Sequence, residues 1–166
     1  MSEGEQRTAW KSLIRLLRYR PRSVAEARRR LEGKGFSRAV VEATLKRAQA
    51  DQLLDDELFT RLWIEDRLHA RPLARRAIEM ELADLGVSRS VIQQELGHLY
   101  PQNREKDVAI RLASERFGRL ASRNIELEKK RDRVVAFLAR RGFSYSLART
   151  AVAAAERKSD QAKEET

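Results

Sequence analysis

The sequence predicts an all-α protein, a tandem repeat of three three-helix units that forms an elongated, curved rod. Two observations predict this fold class. The 166 residues include only 7 Gly and 3 Pro, and the good helix formers Arg, Leu, Ala and Glu dominate the chain. Three segments also align without gaps: RRRLEGKGFSRAVVEATL, EMELADLGVSRSVIQQEL and VAFLARRGFSYSLARTAV. Repeats this short stack on one another to bury enough apolar surface.

Each aligned segment carries Leu, Gly, Phe or Val, and Ser in the same order. The Gly ends a helix at the C′ position, where a left-handed backbone is needed. The Leu and the Phe or Val then occupy C3 and C″, which touch in a Schellman motif, and the Ser is a favoured N-cap. Each segment is therefore predicted to be helix, turn, helix. The aligned residues are Leu31, Gly35, Phe36 and Ser37; Leu82, Gly86, Val87 and Ser88; Leu138, Gly142, Phe143 and Ser144.

A further helix precedes each aligned pair. In the first two repeats its apolar residues have one-face helical spacing, and a Pro favours a break before the next helix. In the third repeat we expect this helix from about Asn103 to Phe117, followed by the connection GRLASRN. The predicted organisation is repeat 1 at 9–51, repeat 2 at 52–102 and repeat 3 at 103–157, with flexible ends at 1–8 and 158–166.

Charge is distributed unevenly over a chain whose formal net charge is +10. Residues 7–50 carry a net +10, residues 51–102 a net −4 and residues 103–157 a net +7. A basic surface favours polyanions. One interpretation is that the outer repeats contact phosphates while the middle repeat contacts a basic protein surface. The alternative is that the arginines only cover the exposed faces of amphipathic helices.

The charge pattern alone nominates candidate residues for contact with a partner or with DNA. They are the basic residues that cluster along the chain, together with one arginine of repeat 2. The candidates are Arg28, Arg29, Arg30, Arg67, Lys129, Lys130, Arg131, Arg133, Arg140 and Arg141.

No constellation of residues predicts a catalytic or metal site. The chain has no Cys, and His69 and His98 are isolated. Asp55 and Asp56 precede a helix and are typical of N-cap and first-turn acids. We therefore expect no enzyme activity, cofactor or metal. The longest apolar run, six residues from Val134, is far short of a membrane span, so we expect a cytoplasmic protein without membrane contact.

The helix after each Gly-x-Ser turn also has the form of a helix-turn-helix recognition helix, an alternative that predicts stand-alone DNA binding. A protein that recognises a DNA sequence through these helices needs similar polar residues at equivalent positions. The three repeats differ at those positions. The corresponding residues are Arg38, Lys46 and Arg47; Arg89, Gln93, Gln94 and Glu95; Tyr145 and Arg149. A helical scaffold that binds only proteins is a third possibility.

An ordered set of residues runs through all three repeats. They are Pro21, Ser23, Leu31, Gly35 and Phe36; Leu54, Asp55, Asp56, Phe59, Arg67, Ile78, Glu81 and Leu82; and the segment FLARRGFSYSLA. With this set, roughly residues 10–155 resemble the RecX family of RecA modulators. The chain departs from the family at Arg71, Pro72 and Leu73, where glycines are usual, so a stiffer turn is expected.

This resemblance implies a regulator that lies along the groove of the RecA–DNA filament. It implies modulation, usually inhibition, of recombinase and coprotease activity, without chemistry of its own. The expected partners are the RecA filament and, weakly, single- or double-stranded DNA, with the protein itself a monomer.

Overall fold

The computed structural model describes residues 3–121 and 125–164 of the chain. Their regular structure consists of nine α-helices without a strand, so the all-α prediction is confirmed. The elongated, curved shape stays a prediction. The helices are α1 Glu3–Leu17, α2 Val24–Glu32, α3 Arg38–Ala50, α4 Asp56–Ala70, α5 Arg75–Asp84, α6 Arg89–Leu99, α7 Gln102–Ala121, α8 Leu127–Ala139 and α9 Tyr145–Glu164.

The three predicted glycine turns are present. Gly35, Gly86 and Gly142 have φ values of 83°, 82° and 86°, the left-handed region expected at C′. Each donates its N–H to the carbonyl three residues earlier, at 2.8–2.9 Å. In repeats 2 and 3 the second bond of a Schellman motif is also present. It runs from the N–H of Val87 to the carbonyl of Leu82 (3.1 Å) and from that of Phe143 to that of Leu138 (3.3 Å).

The predicted serine caps form in two of the three repeats. The hydroxyls of Ser88 and Ser144 accept the backbone N–H three residues on, at 3.4 and 3.2 Å. Ser37 occupies the N-cap position of α3, but its hydroxyl makes no capping bond. A complete capping box lies elsewhere, at the start of α2, where Ser23 and Glu26 each bond the other's backbone N–H.

Three helices extend beyond their predicted ends. Helix α1 begins at Glu3, inside the predicted flexible residues 1–8, because acids occupy its first turn and Ala9 is buried. Helix α7 continues through Gly118 to Ala121, where a connection was predicted, because Leu120 is buried. Helix α9 continues to Glu164, past the start of the predicted flexible end at 158. The rest of these segments (1–2, 122–124 and 165–166) lies outside the described residues.

The chain forms two compact units. The first comprises residues 1–65 and 79–95, the second 66–78 and 96–166, so repeat 2 contributes residues to both. In the first unit, α1, α2 and α3 bury one apolar cluster, which Trp10, Leu17, Val24 and Phe36 border. In the second, α7 packs against α8 and α9. The buried cluster of the first unit is Leu13, Ala27, Leu31, Val41, Leu45, Ala48 and Leu54.

The same junction between successive repeats occurs once in each compact unit. In the first unit the buried Ser23 donates its hydroxyl to the carbonyl of Leu85, at 2.6 Å, just before Gly86. In the second unit Ala74, 51 residues after Ser23, donates its backbone N–H to the carbonyl of Arg141, at 2.9 Å, just before Gly142. The start of one repeat's second helix therefore binds the glycine turn of the next repeat.

An acidic residue of the following repeat reinforces each junction. Asp56 accepts the N–H of Val24 at 2.9 Å, and Glu105 accepts the N–H of Arg75 at the same distance. A carboxylate at a helix N-terminus satisfies an unpaired N–H and complements the helix dipole. Burial raises the pKa of Asp56, more than the hydrogen bond from Val24 lowers it. Asp55, as predicted, caps its own helix α4 through the N–H groups of Glu57 and Leu58.

Candidate nucleic-acid and partner interface

The arginine cluster of repeat 1 is divided among different contacts. Successive residues of a helix point about 100° apart, so three consecutive arginines cannot share one face. Arg28 forms a bidentate ion pair with Glu42 of α3. Arg29 reaches the carbonyl of Asp84 at 3.4–3.5 Å. Arg30 is exposed beside Arg29. Only part of this cluster is available to a partner.

The basic cluster of α8 is exposed but partly neutralised. Lys129 pairs with Glu126 at 2.9 Å, and Arg131 pairs with Glu156 of α9 at 2.6 Å. Lys130 is half-buried, and Arg133 is exposed. Exposed ion pairs stabilise little and exchange readily, so these side chains stay accessible to an anionic partner.

The remaining candidates lie in the second compact unit. Arg67 is half-buried and bonds Asp66 at 2.8 Å. Arg140 is exposed at the end of α8. Arg141, in the turn before Gly142, bonds the carbonyl of Pro72 through Nη1 at 2.9 Å. The side chain of Arg141 therefore binds the same α4–α5 turn as its backbone carbonyl.

Arg141, a candidate from the sequence, also lines a basic depression that was not predicted from the sequence. We call it the arginine pocket; it has a volume of about 250 Å³. Four arginines and one glutamate line it, a formal charge of +3 with His69 neutral. The guanidinium carbons of Arg141 and Arg116 lie 4.6 and 5.4 Å from the ring centre of Phe137. The full lining is His69, Ala70, Pro72, Arg111, Leu112, Glu115, Arg116, Arg119, Phe137 and Arg141.

Positive charge accumulates in the arginine pocket. Burial lowers the pKa of Arg141, and the nearby Arg71 and Arg119 lower it further, while Glu115 opposes them. Glu115 is itself paired with Arg111 at 3.4 Å. The pocket thus holds like charges close together in the free protein.

The sequence missed these arginines because they occur singly rather than in runs. Arg116 and Arg119 are three residues apart, and neighbours at that spacing share a helix face. Arg119 falls in the segment predicted to be a connection, after the predicted end of the helix at about Phe117. Helix α7 continues to Ala121, which places Arg119 on the same helix as Arg116.

Most acidic side chains of repeat 2 are bound within the protein. Glu95 is buried and pairs with Arg61 at 3.2 Å. Glu81 accepts the indole N–H of Trp63 at 2.8 Å. Glu79 accepts from Gln93, and Asp55 and Asp56 serve as caps. The net −4 of this repeat therefore reflects internal contacts and gives little support to an acidic docking face.

Three of the polar residues in the helix-turn-helix alternative make contacts within the protein. Arg47 stacks on Trp10 at 4.0 Å and pairs with Asp51. Gln93 bonds Glu79, and Gln94 bonds Glu95. These side chains would have to give up those contacts to reach base edges.

Among the described residues, no group of three or more His, Asp or Glu is placed to hold a metal ion. Within the same residues, no helix is both long and apolar enough to cross a membrane. His69 and His98 are exposed.

Comparison with known proteins shows the family. Three family models match the chain, described as the first, second and third three-helix domains of RecX, at residues 9–47, 55–96 and 104–152. The chain belongs to the RecX family. The prediction of a tandem repeat of three-helix units is confirmed.

Relatives named "Regulatory protein RecX" match most of the chain. The protein from Amycolatopsis mediterranei is 32% identical over 82% of this chain and 77% of its own length. That from Mycobacterium sp. strain JLS is 35% identical over 81% and 74%. The crystal structure of RecX from Lactobacillus salivarius shares the fold, with a TM-score of 0.80 at 15% identity, over 93% of this chain and 99% of that one.

The residues that carry the RecX resemblance have structural roles here. Leu54 and Phe59 are buried beside the caps that Asp55 and Asp56 form. Ser23 bonds the carbonyl of Leu85 at the junction between repeats 1 and 2. These residues therefore help to cap helices and to join successive repeats of this chain.

Proposed function

We propose that this RecX-family protein binds the RecA–DNA filament and inhibits its recombinase, ATPase and coprotease activities. The observation that carries the proposal is family membership across all three repeats, together with relatives named as regulatory proteins. We propose that it regulates by binding in the cytoplasm and not as an enzyme.

The distribution of accessible charge supports a partner that contains nucleic acid. Repeats 1 and 3 carry the positive charge of the chain. Arg30, Arg133 and Arg140 are exposed there. A filament presents DNA phosphates, and arginine side chains suit phosphate contacts. We propose that the arginine clusters identified from the sequence make this phosphate contact, and that the exposed members are the strongest candidates.

A binding measurement tests the proposal against stand-alone DNA binding. Labelled protein is added to RecA filaments assembled on single-stranded DNA with a non-hydrolysable ATP analogue, and binding is followed by fluorescence anisotropy. The same DNA without RecA, and RecA without DNA, are the matched controls. We expect binding to the filament to exceed binding to either component by about tenfold or more, about 1.4 kcal/mol.

A competition measurement and a variant test the same proposal further. Added free DNA should compete weakly, because phosphate contact alone gives weak binding that falls steeply with salt. The exposed Arg30→Gln variant should reduce filament binding. Equal binding to filament and naked DNA, or full displacement by free DNA, would favour the stand-alone alternative and refute the proposal.

A further inference from the structure

The arginine pocket is built from groups that are held in place before any ligand binds. Arg141 is fixed by its bond to the carbonyl of Pro72, and its backbone carbonyl accepts the N–H of Ala74. Arg116 and Arg141 both lie against Phe137. Cation–π contact and packing limit the rotamers of both side chains, so less freedom is lost when they bind an anion.

Donor groups in the pocket exceed the acceptors available to them. The Nε of Arg116 is buried and has no hydrogen-bond partner among the described residues. A buried donor without an acceptor is rare and calls for an explanation. Glu115 supplies the one carboxylate of the described lining, and Arg111 already binds it. The lining therefore carries one unsatisfied guanidinium N–H, that of Arg116, and excess positive charge.

We propose that the arginine pocket is a phosphate-binding site, which takes the phosphodiester of a nucleic-acid strand or the phosphate of a free nucleotide. Guanidinium groups bind phosphate oxygens in a bidentate fork, and several forks around one pocket match several anionic oxygens. The pocket concentrates a formal charge of +3 in a volume of about 250 Å³, so a compact anion with several anionic oxygens, such as phosphate, fits it better than the single carboxylate of an acidic side chain.

This inference does not rest on the proposed function, since it concerns the protein without RecA. The primary test uses a fluorescein-labelled oligothymidylate and fluorescence anisotropy. The variant is Arg119→Gln, because Arg119 is exposed and lines the pocket. Arg157→Gln is the matched control, because Arg157 is an exposed arginine of the same compact unit outside the pocket and is not a candidate for partner contact. Circular dichroism and denaturation midpoints confirm that both variants fold.

We expect Arg119→Gln to weaken oligonucleotide binding about fivefold. The slope of the logarithm of the binding constant against the logarithm of the salt concentration should become shallower by about 0.7, the value for one lost phosphate contact on a single strand. Arg157→Gln should change affinity by less than about twofold. An oligonucleotide with uncharged methylphosphonate linkages should bind wild type and Arg119→Gln equally weakly.

Competition arms identify the source of the phosphate. If pyrophosphate and AMP displace the oligonucleotide from wild type, the site accepts free phosphates. If they do not, the site is specific for a nucleic-acid strand. Either result supports the proposal. Equal losses in Arg119→Gln and Arg157→Gln would indicate general charge attraction and overturn it. The proposal would also be overturned if polyglutamate bound wild type more tightly than Arg119→Gln while the oligonucleotide bound both equally. That result would indicate an acidic protein as the partner.

Discussion

The backbone of Gly86 lies against the side chain of Ala25. A Cβ added to Gly86 would stand 2.4 Å from the Cβ of Ala25. At the equivalent junction, a Cβ on Gly142 would stand 2.8 Å from that of Ala77. The corresponding Gly35 has open space around it. Two of the three aligned glycines therefore serve both the turn and the joining of repeats, while the first serves the turn alone.

Substitution of these glycines should separate the two roles. Gly86→Ala and Gly35→Ala both force a positive φ on alanine, which costs about 1 kcal/mol. Gly86→Ala adds overpacking against Ala25, and we expect its total cost to be about 2 to 4 kcal/mol. Urea denaturation followed by circular dichroism measures the difference. Equal destabilisation by the two substitutions would mean that the close approach to Ala25 has no energetic weight.

The serine caps offer a second comparison. Ser23 is buried, accepts the N–H of Glu26 and donates to Leu85, whereas the hydroxyl of Ser37 makes no capping bond. Ser23→Ala should cost about 1 to 2 kcal/mol, because it removes a cap and leaves the carbonyl of Leu85 without that donor. Ser37→Ala should change stability by less than about 0.5 kcal/mol. A larger loss for Ser37→Ala than for Ser23→Ala would contradict these assignments.

Glu26 should make the stability of the protein depend on pH. Burial acts to raise its pKa, but the hydrogen bonds and charge of Arg20, the N–H of Ser23 and Arg22 outweigh burial and lower the pKa below 4.5. A carboxyl with a lowered folded-state pKa stabilises the fold above its unfolded value. That stabilisation is lost as pH falls through the folded value.

The Glu26→Gln variant tests this dependence. At neutral pH it should be less stable than wild type by about 1 kcal/mol, because charge-assisted hydrogen bonds are lost. As pH falls below 4.5 the two free energies of unfolding should converge. Denaturant titrations across this range measure both. A constant difference between the two proteins at every pH would show that Glu26 does not titrate differently on folding.

The sequence was sufficient to predict the glycine turns but not the contacts that join successive repeats. Gly35, Gly86 and Gly142 were identified because helix termination leaves a local signature in one segment. The bond from Ser23 to Leu85 joins residues 62 positions apart, and no local pattern reports such a contact. The arginine pocket was missed for a related reason, since it combines α7 with the turn before Gly142. The alignment of the three segments predicted the repeats, but it did not predict which residues contact each other across a junction.

Hydrolysis of ATP by RecA on single-stranded DNA, with the protein added below one copy per RecA, tests the central claim most directly. We predict strong suppression at these substoichiometric amounts, unchanged by excess free DNA, because the filament is the target. No suppression, or suppression that disappears when free DNA is supplied, would contradict the claim and indicate a general DNA-binding protein.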